Sequence, residues 1–114
     1  MDVRDDSLYK VCVGVPEEFL DDMMDSINEN MEPAFPGYER AFSYSRSKGT
    51  WRPLEGSEPF IGEIGKIETQ DEIRLEFVVR GKDLRNVLKA MVNVHPYEEP
   101  AMDIVEVYGW RDIV

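Results

Sequence analysis

Residues 9–20 read Tyr9-Lys10-Val11-Cys12-Val13-Gly14-Val15-Pro16-Glu17-Glu18-Phe19-Leu20, and the change of period at Pro16 decides the fold. Up to Val15, Tyr9 and three valines alternate with Lys10, Cys12 and Gly14. Period two with β-branched residues is a strand; the small residues on its second face suit close approach by a neighbour. From Pro16 the period lengthens. Phe19, Leu20, Met23, Met24, Ile27 and Met31 recur every three to four residues, which predicts an amphipathic helix over 16–30. Proline suits a first helical position because its missing N–H would be unpaired there. Glu17 and Glu18 complement the positive end of the helix dipole, and Asn28-Glu29-Asn30 with Pro33 ends the helix.

The strand–helix alternation returns further along. After a turn at 33–37, Tyr38, Phe42 and Tyr44 indicate a second strand. Residues 46–62 hold three glycines and two prolines and read as irregular, with a short strand expected near Trp51 to Leu54. Residues 63–69 and 72–79 read as two strands joined tightly at Gln70-Asp71; the second alternates Ile73, Leu75, Phe77 and Val79 with charged residues. Gly81 then precedes a helix whose core face is Leu84, Val87, Leu88 and Met91. It stops at Val94-His95-Pro96, because proline drives the residue before it away from helix. Met102 to Tyr108 is a last strand, apolar on both faces, as suits an interior or interface-covered strand.

The order β-α-β-β-α-β, with an extra strand or two in the middle, is α+β and ferredoxin-like, an antiparallel sheet with both helices on one face. A single domain spans residues 1–114, with 1–7 and 109–114 expected as flexible tails. The other sheet face is expected to be apolar and to be buried by sister chains, so a homo-oligomer is expected.

The bulk numbers remove several functions. A composition 42% apolar and 32% charged folds. Thirteen scattered basic residues against 24 acidic ones give a net charge of -11, a field that repels nucleic acid. No apolar run approaches the roughly 20 residues of a membrane helix. The first residues lack the basic and apolar stretches of a signal peptide, so a cytoplasmic setting with no membrane partner is expected. Cys12 is the sole cysteine, which rules out an intrachain disulfide. Mid-strand, it reads as a small core residue rather than a reactive thiol. Gly62-Glu63-Ile64-Gly65-Lys66 lacks the spacing of a phosphate loop, and no Gly-x-Ser-x-Gly occurs.

His95, the sole histidine, sits in His95-Pro96-Tyr97-Glu98-Glu99-Pro100. Imidazole with carboxylates could hold a divalent metal or exchange a proton. Against this, a catalytic zinc usually draws three protein ligands, and adjacent Glu98 and Glu99 cannot both aim inward from an extended segment. A structural or interface role for His95 therefore stands beside a part in a site completed by another subunit or loop. Trp51, Arg52, Glu55, Glu58 and Phe60 are the other candidates, since Trp and Arg most often anchor interfaces. The plain alternative is that Trp51 and Phe60 pack the loop onto its own domain.

Two stretches carry a family resemblance. Gly49-Thr50-Trp51-Arg52-Pro53-Leu54-Glu55-Gly56, with Pro59-Phe60-Ile61-Gly62 and Gly65-Lys66, resembles the middle of the domain inserted in YqfO-type proteins, the GTP cyclohydrolase type 2 homolog group. His95-Pro96-Tyr97-Glu98-Glu99-Pro100-Ala101 resembles the far end of that domain and is similar to a turn of the CutA divalent-cation tolerance proteins. The resemblance runs from about Tyr9 to Tyr108. It implies a CutA/PII-type sandwich that forms trimers, and a freestanding copy of a domain normally inserted in a larger protein. The di-metal ligands of that larger protein lie in its flanking segments, so neither metal site nor cyclohydrolase activity is expected here. The group carries a His-Ile-Gly-Asn-Tyr-like segment before the middle motif; the matching Phe35-Pro36-Gly37-Tyr38-Glu39-Arg40 has no histidine.

Three readings follow. In the first, the chain is a non-catalytic binding or regulatory module, a homotrimer responding to a small molecule, a metal ion or a protein, with its binding residues among Trp51, Arg52, Glu55, Phe60, Glu63, His95, Tyr97, Glu98 and Glu99. In the second it is an enzyme with a site at the subunit junction, using His95 with Glu98 or Glu63 as acid and base. In the third these motifs only turn the chain and seal the oligomer. The sequence leaves the cofactor open; a divalent metal at His95 is the one it suggests.

Overall fold

The computed structural model describes residues 2–114. Four strands and two helices follow in the order β1 (Leu8–Val15), α1 (Leu20–Glu29), β2 (Phe42–Trp51), β3 (Glu68–Arg80), α2 (Gly81–Val94) and β4 (Met102–Val107). The sheet order is β2-β3-β1-β4, antiparallel throughout. This is the split β-α-β arrangement of a ferredoxin-like fold, without the extra central strands expected from sequence.

Alternation decides which face is covered. Tyr9, Val11, Val13 and Val15 of β1 meet Ile73, Leu75, Phe77 and Val79 of β3 under Leu20, Met23 and Ile27 of α1 and Leu84, Val87 and Met91 of α2. Pro16 turns the chain out of β1 into a short 3-10 turn, Glu17–Phe19, so the α-helix proper begins later than the 3.6-residue pattern implies. β3 runs into α2 with no loop. Gly81, the first residue of α2, lies against the backbone of Arg4; its N–H donates to the Ser7 carbonyl and that of Lys82 to the Asp5 carbonyl. The Arg4 N–H donates to the buried Tyr9 hydroxyl at 2.9 Å. Residues 4–7, where fraying is expected from composition, thus share hydrogen bonds with the start of α2. At the far terminus Trp110–Asp112 form a 3-10 turn, with the Gly109 N–H donating to Asp112 at 2.7 Å.

Four expectations are corrected. First, β2 occupies 42–51, later than the strand expected near Tyr38–Tyr44 and through part of the segment read as irregular. Its Ser43, Ser45, Ser47 and Lys48 erase the apolar alternation because an edge strand has little to bury. Second, β3 is one strand of 13 residues. Gln70 and Asp71 form no turn; they pair with Gly49 and Lys48, and Lys48 donates to Asp71 at 2.6 Å. Third, β4 is an edge strand with half its residues exposed, not an interior one.

The fourth correction concerns the open face. It carries Lys10, Cys12, Arg74, Glu76, Ser45 and Asp103 across its middle, and is polar rather than apolar. Leu8, Val78, Val105 and Val107 form its hydrocarbon end. Charged and polar side chains make up most of the rest of this face. Cys12 lies on it, half-buried and outside the core. Desolvation pushes its thiol pKa up, opposed by Arg74 and helped by Glu76 and Asp103, which favours the thiol over the thiolate.

The β2–β3 pair continues past the end of β1, whose last residue, Val15, pairs with Ile73. Ser47–Trp51 and Glu68–Glu72 therefore form a two-stranded arm, and the molecule is 50 Å along its long axis. Among the described residues no helix is long and apolar enough to cross a membrane.

Candidate functional site

The arm is closed by residues 52–67, which are ordered by their own hydrogen bonds. The Gly65 N–H donates to the Pro53 carbonyl at 2.8 Å, and the Ser57 N–H to the Leu54 carbonyl at 3.1 Å. The Trp51 indole N–H donates to the Ile61 carbonyl at 3.2 Å, folding the loop back over the strand end. Gly62 permits this with φ 109°, a conformation that a residue with a Cβ adopts only under strain.

The turn after α2 approaches from the other side. Pro96 forces His95 out of the helix into extended backbone, φ -65° and ψ 130°. That swings the imidazole across the end of the sheet, where it is 6% exposed. The Tyr97 N–H donates to Nδ1 at 3.1 Å, which fixes the other nitrogen as the protonated one; Nε2–H donates to the Gly14 carbonyl at 2.7 Å. Desolvation holds the His95 pKa below its ordinary value, against the opposing pull of the Gly14 carbonyl and the Glu72 charge. A neutral imidazole with both nitrogens engaged is a strut. Neither lone pair nor proton is left for a metal or a substrate.

The strut positions Tyr97, whose ring lies 4.9 Å from that of His95. The Tyr97 hydroxyl donates to Glu72 Oε2 at 2.8 Å. Burial above all, then the bond to Glu72 and its charge, push the phenol pKa well above its ordinary value, so Tyr97 remains a hydrogen-bond donor. Its ring centroid is 5.5 Å from Trp51 and 6.2 Å from Phe60, and Phe60 in turn stands edge-on to Phe19 at 6.0 Å. Across the mouth, Glu98 Oε2 accepts the Glu58 N–H at 2.8 Å, tying the loop to the turn.

The result is one cleft of about 480 Å³ at the base of the arm. Its floor is the open face of the sheet at Gly14, Gly49 and Glu72; its walls are the 51–61 loop and the 97–101 turn. The volume falls within the roughly 300–1,000 Å³ of small-molecule sites. Of the residues singled out in sequence, Trp51, Arg52, Phe60, Tyr97, Glu98 and Glu99 line it. Glu55 lies exposed in the Leu54–Ser57 turn outside the lining. Glu63 pairs with Lys66 at 2.6 Å on the surface, and His95 stands behind the wall. Among the described residues no three His, Cys, Asp or Glu side chains converge to hold a metal ion.

Gly14, Gly49 and Glu72 were not singled out by sequence. Glycine inside a strand is the signal that finds them, because it marks close approach of another group. Here the group is Glu72, which points to the open face with glycine on each neighbouring strand. A Cβ at Gly14 would sit 3.0 Å from its carboxylate, and one at Gly49 would collide with it. Gly49→Ala is therefore expected to displace the Glu72 side chain and fill part of the floor. The obstructing atoms are the far end of a flexible side chain, so the stability cost should stay near about 1 kcal/mol. A melting temperature within a few degrees of wild type, with loss of the Tyr97–Glu72 bond in a crystal structure, is the expected pair of results; a fully unfolded variant would contradict it.

No protein-family model matches the chain. It is 37% identical over 98 residues to a GTP cyclohydrolase 1 type 2 homolog of Staphylococcus epidermidis, a match over 86% of this chain and 27% of that protein. The chain thus spans about a quarter of the length of the curated relatives it matches. A Bacillus cereus protein related to NIF3 superposes with TM-score 0.79 at 28% identity, over 96% of this chain and 28% of that one. A periplasmic divalent cation tolerance protein CutA of Archaeoglobus fulgidus gives 0.64 at 16% identity, over 88% and 83%. GlnK of B. subtilis gives 0.60 at 14%, over 89% and 85%. The chain is a relative of one segment of the cyclohydrolase-homolog, NIF3-related proteins, and it has the CutA/PII-type fold.

Proposed function

We propose that this chain is a non-catalytic binding or regulatory module that takes a small ligand in the cleft and acts as a homotrimer. One observation carries the ligand reading: two segments some forty residues apart, the 51–61 loop and the 97–101 turn, form opposite walls of the same aromatic-lined cleft. A loop that served only to connect strands would not need Trp51, Phe60 and Tyr97 around open space. The strut geometry of His95 supports binding over acid–base chemistry, since its one N–H is held by the Gly14 carbonyl and its other nitrogen by the Tyr97 N–H.

The homotrimer rests on the sheet edges instead of its open face. β2 and β4 leave unpaired N–H and C=O groups on opposite edges, and they run in opposite directions. Edge-to-edge closure of several copies would continue the antiparallel sheet and satisfy both edges. Beside β4, Tyr108, Trp110 and Ile113 are exposed apolar side chains that such a contact would cover.

Two measurements test this. Light scattering at micromolar concentration is expected to return roughly three chains; a clean monomer removes the trimer. For the ligand, a thermal-shift screen of metabolite-sized compounds against wild type and Phe60→Ala is expected to give compounds that stabilise only the wild type. Phe60 is 50% exposed, so its loss should leave the fold intact. Compounds that stabilise both forms equally, or none that stabilise either, would retire the cleft as the site.

A further inference from the structure

The charge at the cleft floor narrows the ligand class. Glu72 is half-buried and forms no ion pair among the described residues, although several other carboxylates of the chain do. Its one hydrogen bond comes from Tyr97, to Oε2. The glycines at 14 and 49 leave Oε1 lying over bare backbone with no basic side chain beside it. In the register of the sheet, Glu72 stands opposite Ser47, while Arg74, the next residue on the same face, turns to Glu76 at 3.3 Å. An acceptor in the floor of a cleft, with one oxygen facing no donor of the protein, suits a cation.

The walls fit one. Trp51, Phe60 and Tyr97 present three rings around the space above Glu72. Aromatic faces carry negative quadrupoles and attract ammonium and guanidinium groups that have shed water. Glu98 and Glu99 at the rim add negative charge; Arg52 is the sole basic residue of the lining. The protein's net charge of -11 raises the local concentration of cations further. An anionic ligand would meet the opposite of what it needs, with one guanidinium against three carboxylates. A bare metal ion would want three converging donors, which are absent among the described residues, and would gain little from an aromatic wall.

We infer that the cleft is a site for a small organic cation, an amine or ammonium joined to an apolar or aromatic body, with its charge on Glu72 and its body among Trp51, Phe60 and Tyr97. This rests on the reading of the cleft as the ligand site. The tyrosine bond holds the carboxylate in place, and the glycines make room for that carboxylate to lie flat on the floor, where it can meet the cationic head.

The test uses three probes of matched size and different head: 2-phenylethylammonium, 2-phenylethanol and 3-phenylpropionate. Trp51 and Trp110 are the only tryptophans, so Trp110→Phe makes Trp51 the sole indole fluorophore. Titrated into the full chain in that background, the ammonium is expected to bind at least about tenfold more tightly than the alcohol, and the carboxylate more weakly still. Glu72→Gln, which keeps an acceptor for Tyr97, is expected to remove the preference for the ammonium while the alcohol binds as before. Raising the salt concentration should weaken the ammonium alone. Equal binding of all three heads, or an ammonium preference that survives Glu72→Gln, overturns the cation assignment and leaves the cleft as a ligand site. Binding by none of the three overturns both.

Discussion

His95→Ala is expected to lower the melting temperature by roughly 10 °C or more, although the residue touches no ligand. Removing the imidazole orphans the Gly14 carbonyl and the Tyr97 N–H, each at a cost of about 1–3 kcal/mol where water cannot fully replace the lost partner. The deleted ring also leaves a gap behind the cleft wall. A total near 2–4 kcal/mol corresponds to that shift in a domain of this size. The pH dependence carries the signature. Folded His95 binds its proton less readily than the unfolded chain, whose imidazole has its ordinary value near 6.5. The unfolded state therefore takes up more protons as pH falls. Stability from this group is complete above about pH 6.5 and declines below it, toward the lower pKa of the folded form. His95→Ala should flatten the pH 5–7 part of the stability curve. A wild-type melting temperature that instead rises on acidification through this window would contradict the neutral strut.

Gly81→Ala is expected to be the second severe change, against the usual direction of such substitutions. In an ordinary helix, alanine for glycine is worth about 0.5–1 kcal/mol of stabilisation. At the start of α2, however, a Cβ would land on the Arg4 carbonyl and crowd the Tyr9 ring. Backbone cannot rotate aside as the Glu72 side chain can. Relief requires residues 4–7 to lift away, taking with them the Arg4–Tyr9, Gly81–Ser7 and Lys82–Asp5 hydrogen bonds. A net loss of roughly 1–3 kcal/mol is expected, with faster amide exchange at residues 81 and 82. Unchanged exchange together with higher stability would show that the N-terminal segment does not pack against α2.

These two sites also show where sequence is informative. Pro96 marks the end of α2, and the Val11-Val13-Val15 alternation fixes β1, because each rests on a local preference that packing then reinforces. The open face obeys no such rule. Lys10, Cys12 and Glu76 read equally well as the solvent side of a strand or as an interface, and only the register reveals a polar surface. The β2–β3 arm escapes sequence for a related reason. Ser47 to Trp51 pair with Glu68 to Glu72 beyond the end of β1 and outside the core, so hydrophobic periodicity says nothing about them. Trp51, Phe60 and Tyr97 could be singled out by type. The carboxylate they surround could not, since Glu72 looks like one more polar residue of an alternating strand, and its isolation depends on glycines 23 residues away in β2 and 58 away in β1.

The two tryptophans allow a direct test of the central claim. Trp51 forms a wall of the cleft; Trp110 lies beyond the far end of β4, 65% exposed. In a nitrogen–proton correlation spectrum of the full chain, addition of 2-phenylethylammonium should move the Trp51 indole N–H cross-peak and the amides of Glu98, Glu99 and Ala101, and leave the Trp110 indole in place. A shift confined to Trp110 and the residues around it, or no saturable shift at either indole, would show that the cleft is not where this protein binds.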